Sequence, residues 1–204
     1  MTEPAPAADD SHLIEKPVSS TELLKGRFLH AFSDVIELPG GATTTREYVV
    51  HPGAVMIVPL LDDRRVVLER QFRYPMRRVM IEFPAGKLDP GEDILACARR
   101  ELREETGYSA TEWARAGVLH PVISYSTEFI EIWFARGLTL GERRLDDGEH
   151  LDVFSATQTE LFEWCRDGRV TDSKTLVAAL WLQNVASGAW TLDWQPVAPK
   201  RGDG

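Results

Sequence analysis

The chain of 204 residues has only two cysteines, no long apolar run and fewer basic than acidic side chains. Each shortage excludes something. Cys97 and Cys165 form no CxxC pair and no disulfide framework. Both are expected as small, buried, apolar residues in a reducing compartment, the cytoplasm. The most apolar stretch, Ala54 to Leu61, is far shorter than the roughly 20 residues that cross a bilayer, so no membrane partner is expected. The first residues lack a basic segment followed by an apolar one, so no secretory signal is expected. Lysine and arginine number 23 against 32 aspartates and glutamates, a formal net charge of −9. Broad binding to nucleic acid needs clustered basic residues, and no such partner is expected. The same acidity would repel phosphates unless a metal or local arginines intervene.

What is present is enough for a core. Hydrophobic residues make up 43% of the chain, and the length suits one domain with a small appendage. Residues 1–20 are rich in Pro, Ala, Asp and Ser and read as a mobile leader. Between Gly26 and Val50 strand formers flank the turn Pro39-Gly40-Gly41. A ribbon of this kind cannot bury itself, so the arm at 21–53 must pack on the main domain or on another subunit. The main domain is expected over 54–190, followed by a loose tail at 191–204. Ala54 to Leu61 and Arg65 to Phe72, split by Asp62-Asp63, predict a hairpin. Val79 to Phe83, Ala110 to Leu119 and Glu128 to Ala135 read as strands. Thr157 to Arg166 and Asp172 to Ser187 read as helices that stop at Gly168 and Gly188. The order predicts a mixed sheet with helices packed on it.

The clearest helix is Asp93 to Thr106, with acids at its positive end and Gly107 as its stop. Leu95, Ala98 and Leu102 share one stripe of this helix. Glu101, Glu104 and Glu105 fall beside it, at i, i+3 and i+4. Carboxylates so spaced repel one another. They gain from the arrangement when a hard divalent cation, which takes oxygen ligands, sits among them. The loop before the helix adds Gly86 and Asp89-Pro90-Gly91.

Taken together, Gly86, Glu92, Arg100, Glu101, Leu102, Glu104, Glu105 and Gly107 stand at the spacings of the Nudix box, and the segment resembles that of Nudix hydrolases. The one mild departure is Tyr108, where the box usually has an aliphatic residue. The resemblance implies an α/β fold (α+β in content): an α/β/α sandwich with a mixed sheet. It also implies hydrolysis of a nucleoside diphosphate linked to another group, with Mg2+ as the usual cofactor and Mn2+ as a substitute. By position, the metal ligands would be Glu101, Glu105 and Glu104, with the carbonyl of Ala85. Arg100 would pair with these carboxylates and orient them.

The flanks Arg70-Gln-Phe-Arg-Tyr-Pro75, Ile81-Glu-Phe-Pro-Ala-Gly86 and Val170-Thr-Asp-Ser-Lys-Thr175 resemble the ADP-ribose pyrophosphatase branch. In that branch the N-terminal β arm exchanges between two subunits, so a homodimer is expected. The resemblance implies that Arg73 contacts the diphosphate, that Glu82 lies in the site and that Arg46 reaches substrate from the partner chain. The proton acceptor would be Glu128, at the end of a polar loop, or a box glutamate such as Glu104. The expected reaction converts ADP-ribose to AMP and ribose 5-phosphate. The alternatives are another nucleoside diphosphate sugar or a dinucleotide, and a non-catalytic nucleotide-binding module.

Overall fold

A computed structural model describes residues 9–145 and 148–197. Within these, the chain divides into two units. One holds residues 9–51 and 122–128; the other holds 52–121 and 129–197.

The first unit is an antiparallel sheet of β1 (Lys16–Lys25), β2 (His30–Glu37) and β3 (Thr43–Val50), in that order. The predicted turn is present: Gly41 has φ of 83° and donates its N–H to the Leu38 carbonyl at 2.8 Å. Residues 122–128 join this sheet. Val49 donates to the Tyr125 carbonyl, and Thr127 donates back to the Val49 carbonyl. Phe32 and Tyr48 stack across β2 and β3 with centroids 5.9 Å apart, yet every residue of β1 is exposed. One boundary changes. β1 begins at Lys16, inside the stretch expected to be a leader, and residues 1–8 lie outside the described ones. The strand escaped notice because Lys16-Pro-Val-Ser-Ser-Thr-Glu-Leu-Leu-Lys25 has no period-two alternation; it pairs through its backbone with β2 and buries nothing.

The second unit carries a five-stranded sheet. Its strands are β4 (Ala54–Pro59), β7 (Ala85–Lys87), β8 (Tyr108–Leu119), β9 (Ile130–Leu140) and β11 (Gln195–Pro196), in the order β11-β8-β9-β4-β7. The β4–β9 pair is parallel and the others are antiparallel, so the sheet is mixed. A second sheet is ordered β10-β5-β6, from β5 (Val66–Arg73), β6 (Arg78–Glu82) and β10 (Leu151–Ala156). Three helices pack on these sheets: α1 (Ile94–Thr106), α2 (Gln158–Asp167) and α3 (Ser173–Ala186).

β4 explains the layering. All six of its residues are buried. Val55 and Ile57 pack with Cys97, Ala98 and Leu102 of α1, whereas Met56 and Val58 pack with Leu161, Ala178 and Leu182 of α2 and α3. A strand covered on both faces reads as a continuous apolar run, not an alternating one. The expected hairpin is therefore corrected. A tight turn does join the two runs, with Leu61 donating to the Arg65 carbonyl at 2.9 Å. Its strands then enter different sheets, because both edges of β4 are taken by β7 and β9. The tail is corrected as well: Gln195 and Pro196 pair with Trp113 and Glu112.

Candidate active site

The loop-and-helix segment folds by local rules. Asp93 caps α1, its side chain accepting from the Ala96 N–H at 2.9 Å. Gly107 ends the helix with φ of 78°. In front of the cap, Glu92 accepts the Asp89 N–H at 3.1 Å and closes the Asp89–Gly91 turn.

Arg100 organises the outer part of the site. It donates to Glu92 at 2.8 and 2.9 Å, to Glu101 at 2.8 Å and to Glu104 at 3.1 Å. The Arg100 hydrogen bond is the main reason that the Glu92 carboxyl falls to about 2. Glu101 behaves differently. Burial, together with the charges of Glu104 and Glu149, pushes its carboxyl up to about 7 in spite of Arg100. Its carboxylate lies directly over Gly86, where any Cβ would overlap it. A side chain at 86 would therefore have to push the Glu101 carboxylate aside, through close approach rather than backbone angle.

Glu105 lies deeper, 4% exposed, and accepts the Ala85 N–H at 3.0 Å. Burial raises its carboxyl far above the ordinary range, and the charges of Glu69 and Glu101 raise it further. Glu82, at the end of β6, is 2% exposed and takes two hydrogen bonds from Arg73, at 2.7 and 2.8 Å, and a third from Lys174. Burial works against its charge, and these two cations overcome that and hold its carboxyl low. Lys174 is anchored in turn by Asp172, the N-cap of α3, at 3.0 Å. Only Phe83 and Pro84 separate Glu82, which ends β6, from Ala85, which begins β7 and donates to Glu105.

The structure thus brings Arg73, Glu82, Ala85, Arg100, Glu101, Glu104 and Glu105 into the second unit, with the last four on α1. Arg46 and Glu128 belong to the first. Arg46 is exposed and paired with Glu15, donating from Nε at 3.1 Å. Glu128 donates its N–H to Ser126 Oγ at 3.1 Å, and its carboxylate lies 3.9 Å from His51 Nε2. Glu131, the other acid of this region, is taken up by a two-bond pair with Arg115 at 2.6 and 2.8 Å. Sequence reasoning missed Lys174 and Glu69. Lys174 carried a faint signal, one residue before Thr175 in a segment already noted. Glu69 carried a better one: an acid closing the apolar run Val66-Val67-Leu68.

Among the described residues, no three His, Cys, Asp or Glu side chains already converge on one point as a preformed cage. Glu101 and Glu104 turn to Arg100, and Glu105 turns to Ala85. The donor chemistry nonetheless fits a hard divalent cation. It is all oxygen, and Glu105 is buried while Glu101 and Glu104 are partly so. Glu69 has no hydrogen-bond partner on either oxygen.

The family described as NUDIX domain matches residues 50–175. A methanol dehydrogenase activator of Bacillus methanolicus is 36% identical over 173 residues, covering 83% of this chain and 92% of the relative. An ADP-ribose pyrophosphatase of Bacillus subtilis is 33% identical over 173 residues, covering 84% of this chain and 94% of the relative. The crystal structure of an ADP compounds hydrolase superposes with a TM-score of 0.77 at 24% identity, over 85% of this chain and 96% of that one, which supports the fold. By motif, fold and kinship the chain belongs to the Nudix hydrolase family and is a pyrophosphatase-type enzyme of it.

Proposed function

We propose that the enzyme hydrolyses the diphosphate linkage of ADP-ribose, giving AMP and ribose 5-phosphate, with Mg2+ as cofactor. The observation that carries the reading is the carboxylate pair of buried Glu105, bonded to the Ala85 N–H, and half-buried Glu101, lying against Gly86. The name of the Bacillus subtilis relative favours ADP-ribose over other nucleoside diphosphate sugars.

Glu101, Glu104, Glu105 and the carbonyl of Ala85 would hold the metal. When bound, it neutralises diphosphate charge and acidifies a water. Arg100 keeps Glu101 and Glu104 from splaying apart before the metal arrives. Arg73 and Lys174 keep Glu82 ionised in a buried position, so that it can orient a donor group of the substrate. Arg73, and in a homodimer Arg46 of the partner subunit, would supply positive charge toward the diphosphate in this reading. Glu128 takes the proton of the attacking water, with Glu104 as the alternative acceptor.

The exposed β1, with Val18 60%, Leu23 54% and Leu24 49% exposed, suits an arm that is covered in a homodimer. The free Cys97 and Cys165 suit a reducing cytoplasm. No helix among the described residues is long and apolar enough to cross a membrane.

The test is phosphatase-coupled phosphate release from a panel of ADP-ribose, GDP- and UDP-linked sugars and dinucleotides, with and without Mg2+. Preferential Mg2+-dependent release from ADP-ribose supports the reading. Preference for another substrate replaces it, and no release from any would favour a binding module.

A further inference from the structure

The first turn of α3 is tied to the end of β6. As N-cap, Asp172 needs only to accept an N–H of that turn. Its Oδ2 instead takes three donors: the Thr175 N–H at 2.9 Å, the Thr175 hydroxyl at 2.6 Å and Lys174 Nζ at 3.0 Å. Lys174 and Thr175 each reach a residue 92 positions away. Lys174 donates to the Glu82 carboxylate, and Thr175 Oγ1 accepts the Phe83 N–H at 3.2 Å. Thr175 and Phe83 have no exposed surface.

The segment so gripped is short and is held at every residue. Glu82 is bound by Arg73 and Lys174, and Phe83 by Thr175. The Pro84 carbonyl accepts the Ile57 N–H of β4 at 2.9 Å, and Ala85 donates to Glu105 at 3.0 Å. Proline has no N–H, so Phe83 carries the single backbone donor between Glu82 and Ala85. A buried donor needs a partner, and this one finds it on a helix outside the loop-and-helix motif. Asp172 prepares that partner. With its proton given to Asp172, the Thr175 hydroxyl keeps its lone pairs for the Phe83 N–H.

We propose that Thr175, oriented by Asp172, is a positioning residue for the hydrolysis: it fixes the end of β6 so that the Glu82 carboxylate and the Ala85 carbonyl keep one spacing. The inference rests on the substrate-side reading of Glu82 and the metal-side reading of Ala85 given above. It extends them to a residue that touches neither substrate nor metal. Misplacing reacting groups by about 1 Å costs on the order of 10²-fold in rate, so one hydroxyl at this distance reaches catalysis through Phe83.

The experiment compares the full-length wild type with Thr175→Val, Thr175→Ser and Asp172→Asn, and reads two quantities. One is kcat per folded molecule at saturating Mg2+ and ADP-ribose, or the panel substrate that the wild type prefers. The other is amide hydrogen exchange at Phe83 and Ala85 in chelator, followed by NMR. Thr175→Val is expected to lower kcat about tenfold or more and to speed exchange at both amides. Thr175→Ser keeps the hydroxyl and is expected to restore both. Asp172→Asn still caps α3 and keeps the test open should Thr175→Val fail to fold. It is expected to shift both quantities the same way, by about threefold or more. A threonine that only supports the fold would lower the melting temperature and speed exchange at Phe83 alone. That result, with kcat unchanged, would overturn the proposal and leave the proposed function standing. Equal losses in the valine and serine variants would overturn it too. A wild type that turns over no panel substrate would overturn the proposed function and this inference with it.

Discussion

The carboxylate of Glu101 lies against Gly86, in the space that any larger residue would need for its Cβ. A helix acid and a loop glycine far apart in sequence are thereby locked together. Gly86→Ala should displace Glu101 from beneath the loop and break its contact with Arg100. Activity should fall more steeply than stability. Kinetics in Mg2+ set beside urea unfolding would show it, and equal losses in both would count against a positioning role.

Arg100 is shared among Glu92, Glu101 and Glu104. Arg100→Lys keeps the charge but cannot span three acids with a planar fork. The apparent affinity for Mg2+ should weaken by roughly 10–100-fold, as for other outer-shell partners, while saturating Mg2+ restores most of the turnover. A variant with unaltered Mg2+ dependence would show that Arg100 is an ordinary ion-pair residue.

Lys174 and Arg73 both serve the buried Glu82. Lys174→Met should leave that acid half satisfied and cost about 1–3 kcal/mol, the usual penalty for an unmet buried polar group. Urea denaturation measures it. Glu82→Gln in the same background should recover part of the loss, because the charge that needed Lys174 is gone.

The metal-free protein should lose stability as pH rises. Burial places the carboxyls of Glu101, Glu69 and Glu105 above their ordinary value of 4.5, with Glu101 at about 7. The folded state therefore binds more protons than the unfolded state between those values, and stability falls with pH across that window. Melting temperature in chelator should drop from about pH 5 to about pH 8, and Mg2+ should raise it more at the upper end. A Mg2+ effect that is flat with pH would contradict the charge excess.

Much of the site was legible because helices repeat on short range. Asp93, Glu101, Glu105 and Gly107 occupy fixed steps of one helix, so their spacing alone set cap, face and stop. The arm hairpin was legible from Gly41 for a similar local reason. What escaped depends on partners distant in sequence. Glu69 meets Glu82 only through strand pairing, and Lys174 reaches Glu82 from a helix 92 residues away. β4 looked like half a hairpin, but its two edges pair with β7 and β9, partners that no local pattern reveals. β1 was hidden by its polar composition.

The central claim is that the carboxylates of α1 hold a metal that serves hydrolysis of a diphosphate. The most direct measurement is phosphorus NMR of ADP-ribose turnover in Mg2+ by the wild type and by Glu105→Gln, with circular dichroism as a check on folding. The account predicts AMP and ribose 5-phosphate from the wild type, and turnover reduced by on the order of 10²-fold or more in a folded Glu105→Gln. Near-normal turnover by that variant would contradict it.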